Sequence, residues 1–548
     1  MQIRTTSFEG QKPGTSGLRK KVKVFQQTNY TENFIQSIFN AVGVAGATLV
    51  VGGDGRYYNL EVMQIIAKMA LANRVKKLII GQGGILSTPA VSCAIRKRKA
   101  TGGILLTASH NPGGPDADFG IKYNLANGGP APESITDKIF EESKVIKFYE
   151  IADMPELDFG TIGTKSYGRL EVEIIDSVKE YVEMLKSIFD FNLIKSFLKS
   201  APRFTVLFDA LNGVTGPYGK AILIDELGLS DSSVQNCIPL TDFGGSHPDP
   251  NLTYAHGLVE RVDAEAISFG AASDGDGDRN MIYGYNAFVS PCDSVAIIAH
   301  YADTIPYFRN GVKGLARSMP TSGALDLVAK KKGLTCYEVP TGWKFFSNLF
   351  DSNKLSICGE ESFGIGADHI REKDGMWSIV AWLNIIAAKF QSDPNKASVK
   401  DILTEFWDTY GRTFFSRYDY EELEATDAQK VISLLDKAIR DPDFIGSEIS
   451  EFTVKEAGNF EYNDPIDGSI SSNQGHYIRF TDGSRLVVRL SGTGSCGATM
   501  RVYLEKYEKD KSRYHLDAQE GLKGLIQVAL GILKIEENTG RTKPTVVT

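Results

Sequence analysis

The chain has 548 residues, which is too long for one hydrophobic core and at roughly 100–200 residues per domain predicts about three to five domains. Its 42% hydrophobic and 23% charged residues are typical of a globular protein and exclude a disordered or fibrous chain. The net charge of −8 argues against a nucleic-acid-binding surface over the whole molecule, so an anionic ligand must meet locally concentrated positive charge.

Cysteine usage and hydropathy favour a cytoplasmic location. The six cysteines form no C-x-x-C pair and no zinc-type spacing with histidine, so we expect reduced thiols. The first ten residues lack the apolar segment of a secretory signal, and no apolar stretch approaches the roughly 20 residues of a membrane span. We therefore expect neither a membrane nor a nucleic acid among its partners.

The N-terminal part alternates glycine-rich turns with strands and helices. Residues 14–20 include Thr15 and Arg19 and combine glycines, hydroxyls and cations, which suits a phosphate-facing loop but alone is only a polar turn. The next predicted elements are a strand at 47–51, a turn at 52–56, an amphipathic helix at 61–72 and a strand at 77–80.

The stretch 102–114 carries a candidate nucleophile. A predicted buried strand at 104–106 ends in a loop with Ser109, His110 and an asparagine, and the Pro-Gly-Gly that follows forbids regular structure. A serine hydroxyl beside an imidazole suits covalent chemistry, because the hydroxyl needs a positioned proton acceptor. We expect Ser109 on an exposed loop, with a polar turn as the alternative.

The strand, turn and helix pattern recurs at 204–223 and 314–332, where Gly333 ends the second helix. Alternating strands and helices predict α/β layers with mixed or parallel sheets. Beyond about residue 400 the composition changes to segments rich in Asp, Tyr and Glu followed by strands, which indicates a different, α+β domain.

A predicted strand at 266–269 leads into a loop with Asp274, Asp276 and Asp278 at alternating positions between glycines. Three carboxylates on such a loop can converge on one hard divalent cation, and Mg²⁺ suits three oxygens plus outside ligands.

Two competing interpretations of this acidic loop differ in strength. An EF-hand needs Gly at the sixth position and an acidic twelfth, but these positions hold Arg279 and Tyr285, so a calcium hand is excluded. A phosphatase that uses the first aspartate of a D-x-D motif as nucleophile stays open on this stretch alone, as does a surface acidic turn.

Two later stretches offer polar groups for a sugar. Thr341 and Gly342 belong to a Pro-Thr-Gly-Trp-Lys turn, and Glu360 and Ser362 follow a predicted strand at 355–358. Carboxylates and a hydroxyl between glycines can bind sugar hydroxyls, although adjacent glutamates are more often a solvated turn.

The last stretch is a candidate phosphate site. Arg489, Ser491, Gly492 and Thr493 combine a cation, hydroxyls and free backbone N–H groups, and Arg501 follows nearby. The stretch lacks the Gly-Lys-Ser/Thr ending of a nucleotide P-loop, and a Ser/Gly hairpin turn is the alternative.

Taken in order, the loops at 107–114, 274–279, 359–364 and 489–495 resemble the four motifs of the α-D-phosphohexomutases. The Glu-Glu-Ser-Phe-Gly form of the third is most similar to the α-phosphoglucomutase branch. The resemblance implies an α/β protein with four domains around a central cleft, three related α/β mixed-sheet domains and a C-terminal α+β domain. The expected domains are 1–178, 179–302, 303–400 and 401–548.

The resemblance also implies a role for each candidate residue. The catalytic residues would be Ser109, His110, Lys122, Arg279 and Lys373. The metal ligands for Mg²⁺ would be Ser109, as its phosphate, with Asp274, Asp276 and Asp278. The substrate-binding residues would be Thr15, Arg19, Thr341, Gly342, Glu360, Ser362 and Lys373. The phosphate-binding residues would be Arg489, Ser491, Gly492, Thr493 and Arg501. His369 is expected near the substrate.

The activity implied by the resemblance is interconversion of glucose 1-phosphate and glucose 6-phosphate through a phosphoserine and glucose 1,6-bisphosphate. Either His110 or Lys122 would be the general base. A non-catalytic scaffold, a glucose 1,6-bisphosphate synthase and a mannose-preferring mutase are the alternatives. We expect sugar phosphates as partners and a monomer or weak homodimer.

Overall fold

A computed structural model describes residues 1–14, 16–491 and 497–548. These residues build three mixed sheets followed by one antiparallel sheet, each packed with helices. None of the helices in this part of the chain combines the length and apolar character needed to cross a membrane.

Domain 1 holds a seven-stranded mixed sheet. Its strands are β1 Gln2–Arg4, β2 Leu18–Lys21, β3 Thr48–Gly53, β4 Lys77–Gly81, β5 Gly102–Leu106, β6 Asp118–Leu125, β7 Phe148–Glu150, β8 Gly163–Tyr167 and β9 Leu170–Ile175. Its helices are α1 Val22–Phe25, α2 Tyr30–Val42, α3 Asn59–Ala72, α4 Thr88–Lys97 and α5 Glu133–Val145. The sheet order is β2-β6-β5-β3-β4-β9-β8, and β1 pairs with β7 apart from it.

Domain 2 holds a five-stranded sheet in the order β11-β10-β12-β13-β14. Its strands are β10 Val206–Asp209, β11 Val234–Gln235, β12 Phe269–Ser273, β13 Asn280–Gly284 and β14 Ala287–Val289. Its helices are α6 Lys179–Ile188, α7 Phe191–Ser200, α8 Gly216–Gly219 and α9 His256–Glu265, with a π-helical segment at Lys220–Glu226.

Domain 3 holds a four-stranded sheet in the order β16-β15-β17-β18. Its strands are β15 Leu315–Ser318, β16 Cys336–Val339, β17 Ile357–Glu360 and β18 Gly364–Ala367. Its helices are α10 Pro291–His300, α11 Ala324–Lys332, α12 Lys344–Asp351, α13 Gly375–Ser392 and α14 Val399–Tyr410.

The three sheets share one four-strand pattern. In each, a central strand lies between two parallel neighbours, and the third strand along the chain pairs with an antiparallel fourth. Domain 2 repeats this with β10, β11, β12 and β13, and domain 3 with β15, β16, β17 and β18. The three domains are therefore related, as the sequence pattern predicted.

Domain 4 holds a seven-stranded sheet in the order β20-β21-β24-β25-β26-β19-β27. The strands of the domain are β19 Arg412–Leu423, β20 Glu448–Ile449, β21 Phe452–Asn459, β22 Tyr462–Asn463, β23 Ile470–Ser471, β24 His476–Phe480, β25 Arg485–Ser491, β26 Ala498–Glu508 and β27 Val546–Val547. Strand β22 pairs with β23 apart from the larger sheet. Its helices are α15 Ala425–Arg440, α16 Ala518–Leu533 and α17 Ile535–Thr539.

The central strands are buried on both faces, which explains their continuous apolar runs. On β3, Val50 packs into a core shared by the first three domains, whereas Leu49 and Val51 face a second core within domain 1. Domain 4 packs its helices α15 and α16 on a core of its own. The first three domains are thus joined through common apolar packing, and the fourth has a separate core.

One predicted strand is misplaced. The sequence predicted a strand at 266–269, but Ala266 is the left-handed residue that ends α9, and β12 runs from Phe269 to Ser273. The strand contains Gly270 and two alanines because an added Cβ at Gly270 would lie 2.6 Å from Val262 on α9. Small residues required for this close packing concealed the strand from a search for bulky apolar residues.

Candidate active site

The serine loop leaves the end of β5 and is anchored by a buried ion pair. Arg56 Nε lies 2.9 Å from Asp54 Oδ2, and Arg56 Nη2 donates to the carbonyl of Ser109 at 2.8 Å. Thr107 Oγ1 donates to Asp54 at 2.6 Å and accepts from the Ser109 N–H at 2.7 Å. These bonds hold Ser109 at a φ of 54°, an unfavourable value for a residue with a side chain.

The expectation that Ser109 lies on an exposed loop is wrong, because Ser109 is only 3% exposed. The aspartate loop covers it, and an added Cβ on Gly275 would lie 2.7 Å from the Ser109 carbonyl oxygen. The nucleophile candidate therefore lies inside the molecule, where bulk water has little access.

Two groups face the Ser109 hydroxyl. Ser109 Oγ donates to Asp274 Oδ2 at 3.0 Å. His110 Nδ1 lies 3.4 Å from Ser109 Oγ. Burial, reinforced by the charges of Arg279 and Arg19, lowers the pKa of His110 well below its usual value. The imidazole is therefore neutral near pH 7 and can accept a proton.

Asp274, Asp276 and Asp278 follow β12, and one carboxylate oxygen of each lies within 4.8 Å of the others. Each carboxylate is also held from outside the cluster. Asp274 Oδ1 accepts from the Arg279 N–H at 3.0 Å, and Asp276 Oδ2 accepts from Thr88 Oγ1 at 2.7 Å. Asp278 Oδ2 lies 3.2 Å from Lys373 Nζ.

The three aspartates concentrate negative charge in a buried place. Burial and the charges of the neighbouring aspartates raise the pKa of Asp274. Burial also acts on Asp276, but the hydrogen bond from Thr88 and the charge of Lys373 outweigh it and lower its pKa. Asp276 Oδ1 and Asp278 Oδ1 are buried without a hydrogen-bond partner among the described residues. Three carboxylates this close together, with buried and unpartnered oxygens on two of them, fit a hard divalent cation.

Cations surround the carboxylates. Arg19 on β2 and Arg279 after the aspartate loop are half-buried, and the Nε atom of each is buried without a hydrogen-bond partner in the described part of the chain. Lys122 on β6 pairs with buried Glu372, which also accepts from Asn124 at 2.9 Å. Unpartnered donors beside the serine loop suit the oxygens of a phosphate.

The sugar candidates lie where domain 3 meets the aspartate loop. The backbones of Arg279 and Gly364 form an antiparallel bridge that joins β13 to β18. Glu360, at the end of β17, accepts from the Gly342 N–H at 2.9 Å, and Ser362 is 8% exposed. Thr341 Oγ1 is buried without a hydrogen-bond partner among the described atoms.

His369, which was expected near the substrate, packs beside the start of α13. Its Nε2 lies 2.9 Å from Asp374 Oδ2, and its ring stacks on Trp377 at a centroid distance of 5.4 Å. The side chain is 2% exposed, so it belongs to the packing that fixes the start of α13. The proximity of His369 to the substrate stays a prediction.

The phosphate candidates lie on neighbouring strands of domain 4. Arg489 on β25 and Arg501 on β26 are paired in the register, and Ser491 pairs with Thr499. Arg489 Nη1 lies 3.4 Å from Tyr503 Oη, and Arg501 Nε lies 3.7 Å from Asp419 Oδ1. The candidates Thr15, Gly492 and Thr493 lie outside the described residues.

All four domains contribute to one cavity of about 80 Å³, lined by His110, Arg279, Ser362 and Arg501 among others. Arg489 does not line this cavity but lines a pocket of about 560 Å³ formed within domain 4. The structure thus brings the serine, metal, sugar and Arg501 candidates together, and it leaves Arg489 at a separate opening.

Several residues at the site carried no signal in the sequence. Arg417 on β19 donates to Glu361 at 2.9 Å and lies 2.9 Å from Asp419 Oδ2, which links domain 4 to the sugar loop. Thr88 contacts Asp276, and Asp249 lies 3.6 Å from Arg279 Nη1. Apart from the pair on β19, each contact joins elements distant in sequence, so no local motif marks these residues.

Family models match the chain in four consecutive parts. Three are the alpha/beta/alpha domains I, II and III of phosphoglucomutase/phosphomannomutase, over residues 10–150, 179–286 and 292–410. The fourth is the C-terminal domain of phosphoglucomutase-1, over residues 412–545. The matched parts follow the four sheets described above.

Similar proteins extend over the whole chain. A phosphoglucomutase of Emericella nidulans is 63% identical over 557 residues, covering 100% of both chains. Human phosphoglucomutase-1 is 56% identical, covering 100% of this chain and 99% of its own. A crystal structure of Paramecium pp63/parafusin, described as a phosphoglucomutase in its open form, has a TM-score of 0.91 at 45% identity, covering 100% of this chain and 99% of that one.

The serine loop, the aspartate loop and the sugar loop lie within the parts of the chain that the first three family models match. This chain belongs to the phosphoglucomutase/phosphomannomutase family.

Proposed function

We propose that this chain is a phosphoglucomutase that interconverts glucose 1-phosphate and glucose 6-phosphate through a phosphoserine on Ser109. The observation that carries the proposal is the contact of Ser109 Oγ with Asp274 Oδ2 at 3.0 Å, inside a buried group of three aspartates. A phosphate on that oxygen would meet the divalent-cation site and the free arginine donors at once. The names of the similar proteins support the same activity.

Magnesium is the cation we propose for this site. Asp274, Asp276 and Asp278 would hold it together with an oxygen of the Ser109 phosphate, and the two unpartnered carboxylate oxygens support that ligand set. Bound Mg²⁺ would offset the phosphate charge and polarise the phosphorus toward attack.

The first half-reaction transfers the phosphoryl group to the sugar. The hydroxyl at carbon 6 of glucose 1-phosphate attacks the phosphorus, the bond from phosphorus to Ser109 Oγ breaks, and a base takes the hydroxyl proton. His110 is one candidate for this base, and its position 3.4 Å from Ser109 Oγ suits it to pass a proton to that oxygen as the bond to phosphorus breaks. Lys122, which pairs with Glu372, is the alternative base.

The product of this step is glucose 1,6-bisphosphate, which must turn end over end so that its other phosphate faces Ser109. The return transfer then re-forms the phosphoserine and releases glucose 6-phosphate. Arg489, Ser491 and Arg501, with Gly492 and Thr493 outside the described residues, are proposed to hold the distal phosphate in both orientations. Burial of Ser109 at 3% exposure supports the exclusion of water that this sequence of steps requires.

Glucose recognition is proposed for the residues of domain 3 and their neighbours. Glu360 and Ser362 would bind ring hydroxyls, and Lys373, Arg19, Thr341 and Gly342 would complete the substrate contacts, with Thr15 contributing from the N-terminal turn. The buried, unpartnered Thr341 hydroxyl supports this assignment, because a ligand hydroxyl would satisfy it.

The proposed enzyme acts on sugar phosphates in the cytoplasm as a monomer or weak homodimer. Its intact serine and aspartate loops speak against a non-catalytic scaffold. A bisphosphate synthase or a mannose-preferring mutase would share the same chemistry, and only the choice of substrates would distinguish either one from a phosphoglucomutase.

Purified protein with glucose 1-phosphate, Mg²⁺ and a trace of glucose 1,6-bisphosphate tests the proposal. Formation of glucose 6-phosphate, followed by a coupled dehydrogenase, is the expected result, and mannose 1-phosphate is assayed in parallel. Faster turnover of mannose 1-phosphate would identify a mannose-preferring mutase. Stoichiometric rather than catalytic use of the bisphosphate, or no turnover of either sugar, would overturn the proposal.

A further inference from the structure

We propose that Thr88 is a positioning residue that fixes the Asp276 carboxylate for the cation, an inference that rests on the metal site proposed above. Thr88 begins α4 in domain 1, whereas Asp276 belongs to the aspartate loop of domain 2. Thr88 Oγ1 donates to Asp276 Oδ2 at 2.7 Å, and both residues are buried, at 2% and 3% exposure.

Two bonds join the same pair of residues. Besides the side-chain contact, the Thr88 N–H donates to the Asp276 carbonyl oxygen at 2.9 Å. The backbone bond fixes the position of Asp276, and the hydroxyl bond fixes the rotation of its carboxylate. Oδ1 is then left buried without a hydrogen-bond partner among the described residues, directed away from the threonine hydroxyl and available to a cation.

Thr88 is itself rigidly held. Ser87 caps α4 by accepting from the Ala90 N–H at 3.2 Å, and the Ser87 N–H donates to Tyr218 Oη at 3.1 Å. Tyr218 Oη donates in turn to the Ser177 carbonyl at 2.6 Å. A β-branched side chain at the start of a fixed helix has few rotamers, so its hydroxyl is preorganised.

Asp276 differs from the other two aspartates in how it is held. Asp274 is oriented by a backbone N–H of its own loop, and Asp278 by the charge of Lys373. Asp274 also accepts from Ser109 Oγ, the proposed nucleophile, whereas Asp276 accepts from Thr88, a domain 1 hydroxyl that takes no part in the transfer. The bond thus aligns one ligand of the cation with the serine loop across a domain boundary.

Such outer contacts to metal ligands typically change metal affinity about 10- to 100-fold when they are removed. Thr88→Val has nearly the same shape but lacks the hydroxyl, so we expect its dissociation constant for Mn²⁺ to rise about 10-fold or more. Thr88→Ser keeps the hydroxyl and should bind within about two-fold of the unmodified chain. With saturating Mg²⁺, kcat of Thr88→Val should recover toward the unmodified value.

The measurement is Mn²⁺ binding to the full chain by electron paramagnetic resonance, which reads free Mn²⁺ and is independent of turnover. Thr31→Val is the matched control, because Thr31 is also buried in domain 1 and donates a 2.7 Å bond to a carbonyl, that of Phe25. It loses an equivalent hydroxyl away from the aspartates and should bind Mn²⁺ normally. Circular dichroism confirms folding, and Thr88→Ala replaces Thr88→Val if that variant does not fold.

Asp276→Asn separates this inference from the proposed function. Weak Mn²⁺ binding by both Thr88→Val and Asp276→Asn, with Thr88→Ser close to normal, supports the inference. Normal binding by Thr88→Val beside weak binding by Asp276→Asn overturns the role of Thr88 and leaves the metal site in place. Equal losses in Thr88→Val and Thr31→Val would show a general effect of lost stability and also overturn it. Normal binding by both site variants would overturn the metal site as well.

Discussion

Arg489 and Arg501 are direct cross-strand partners in the register of β25 and β26. Like charges opposite each other destabilise a sheet unless opposite charge offsets them. Asp419, the partner of Arg501 on β19, provides one negative charge beside the two arginines and shares it with Arg417, which lies 2.9 Å from its Oδ2. The row across the sheet therefore retains excess positive charge, which suits a phosphate.

Replacing Arg489 by Ala tests whether this row holds the distal phosphate. Loss of a charge-assisted bond worth about 1.5–3 kcal/mol should raise KM for glucose 1-phosphate about ten-fold or more. The bisphosphate should also escape between half-reactions, so isotope-labelled substrate should yield free glucose 1,6-bisphosphate. Arg513, an exposed arginine of the same domain paired with Glu508, is the control. An unchanged KM without released bisphosphate would mean that the phosphate is held elsewhere.

Ser109→Ala should eliminate mutase turnover while the chain stays folded. The substitution removes the transferring oxygen and one hydrogen bond to Asp274, whose net contribution to stability is about 1 kcal/mol. Mass spectrometry of the loop peptide should find phosphate on the unmodified chain and none on the variant. Substantial residual turnover would contradict the phosphoserine mechanism.

Chelation should abolish activity, and Mg²⁺ should restore it. The same dependence predicts that Asp276→Asn lowers turnover by orders of magnitude, because a neutral amide no longer offsets the charge of the cation. Activity is measured after exhaustive dialysis against a chelator and again after metal is added back. Full activity in the dialysed protein would count decisively against the aspartate site.

Glu360→Ala should affect glucose and mannose phosphates alike. The two sugars differ only at carbon 2, and Glu360 is proposed to bind hydroxyls that both possess, at carbons 3 and 4. We expect kcat/KM to fall by a similar factor for each sugar, with about ten-fold as the scale for one lost charged hydrogen bond. A loss confined to one sugar would show that this residue reads carbon 2 instead.

Asp293 gives the folded chain a pH dependence away from the cleft. Burial raises its pKa from 3.8 to about 6, although the Trp407 indole N–H bonded to Oδ2 at 3.0 Å opposes the shift. The folded state therefore binds this proton more tightly than the unfolded state, and stability falls as pH rises from about 4 to about 6.

Asp293→Asn keeps an acceptor for Trp407 and removes the buried charge. Its melting temperature should exceed that of the unmodified chain above pH 6, and the difference should shrink toward pH 4. The scale is on the order of 1.4 kcal/mol for each pH unit between the two pKa values. Thermal melts at several pH values measure the difference in melting temperature. A difference that does not change with pH would contradict its assignment to the Asp293 charge.

The class of fold and the main chemical loops could be predicted because their signals are local. Small residues and alternating carboxylates mark the serine and aspartate loops within a few positions of Ser109 and Asp274. The helix ended by Gly333 is confirmed, since that residue takes the left-handed conformation at the end of α11. The four-domain architecture is confirmed as well. The domain boundaries proposed from the sequence stay a prediction.

Other parts of the site depend on contacts between distant segments. The burial of Ser109 follows from the aspartate loop that covers it, and the bond from Thr88 to Asp276 spans 188 positions. Arg56 reaches the serine loop through a buried ion pair that resembles an ordinary charged turn in the sequence. Such pairings follow from how the sheets dock, which no short stretch of the chain specifies.

Ser109, Asp274 and Glu360 occupy the same topological position in the repeated four-strand pattern. Each lies at the end of, or just beyond, the third strand of the pattern, which is β5, β12 or β17. In domain 3 this position is the connection between β17 and β18. A longer connection there would reshape the proposed sugar site and leave Ser109 and the three aspartates where they are. A change in this one connection could therefore alter the size of sugar that the protein accepts without altering the transfer chemistry.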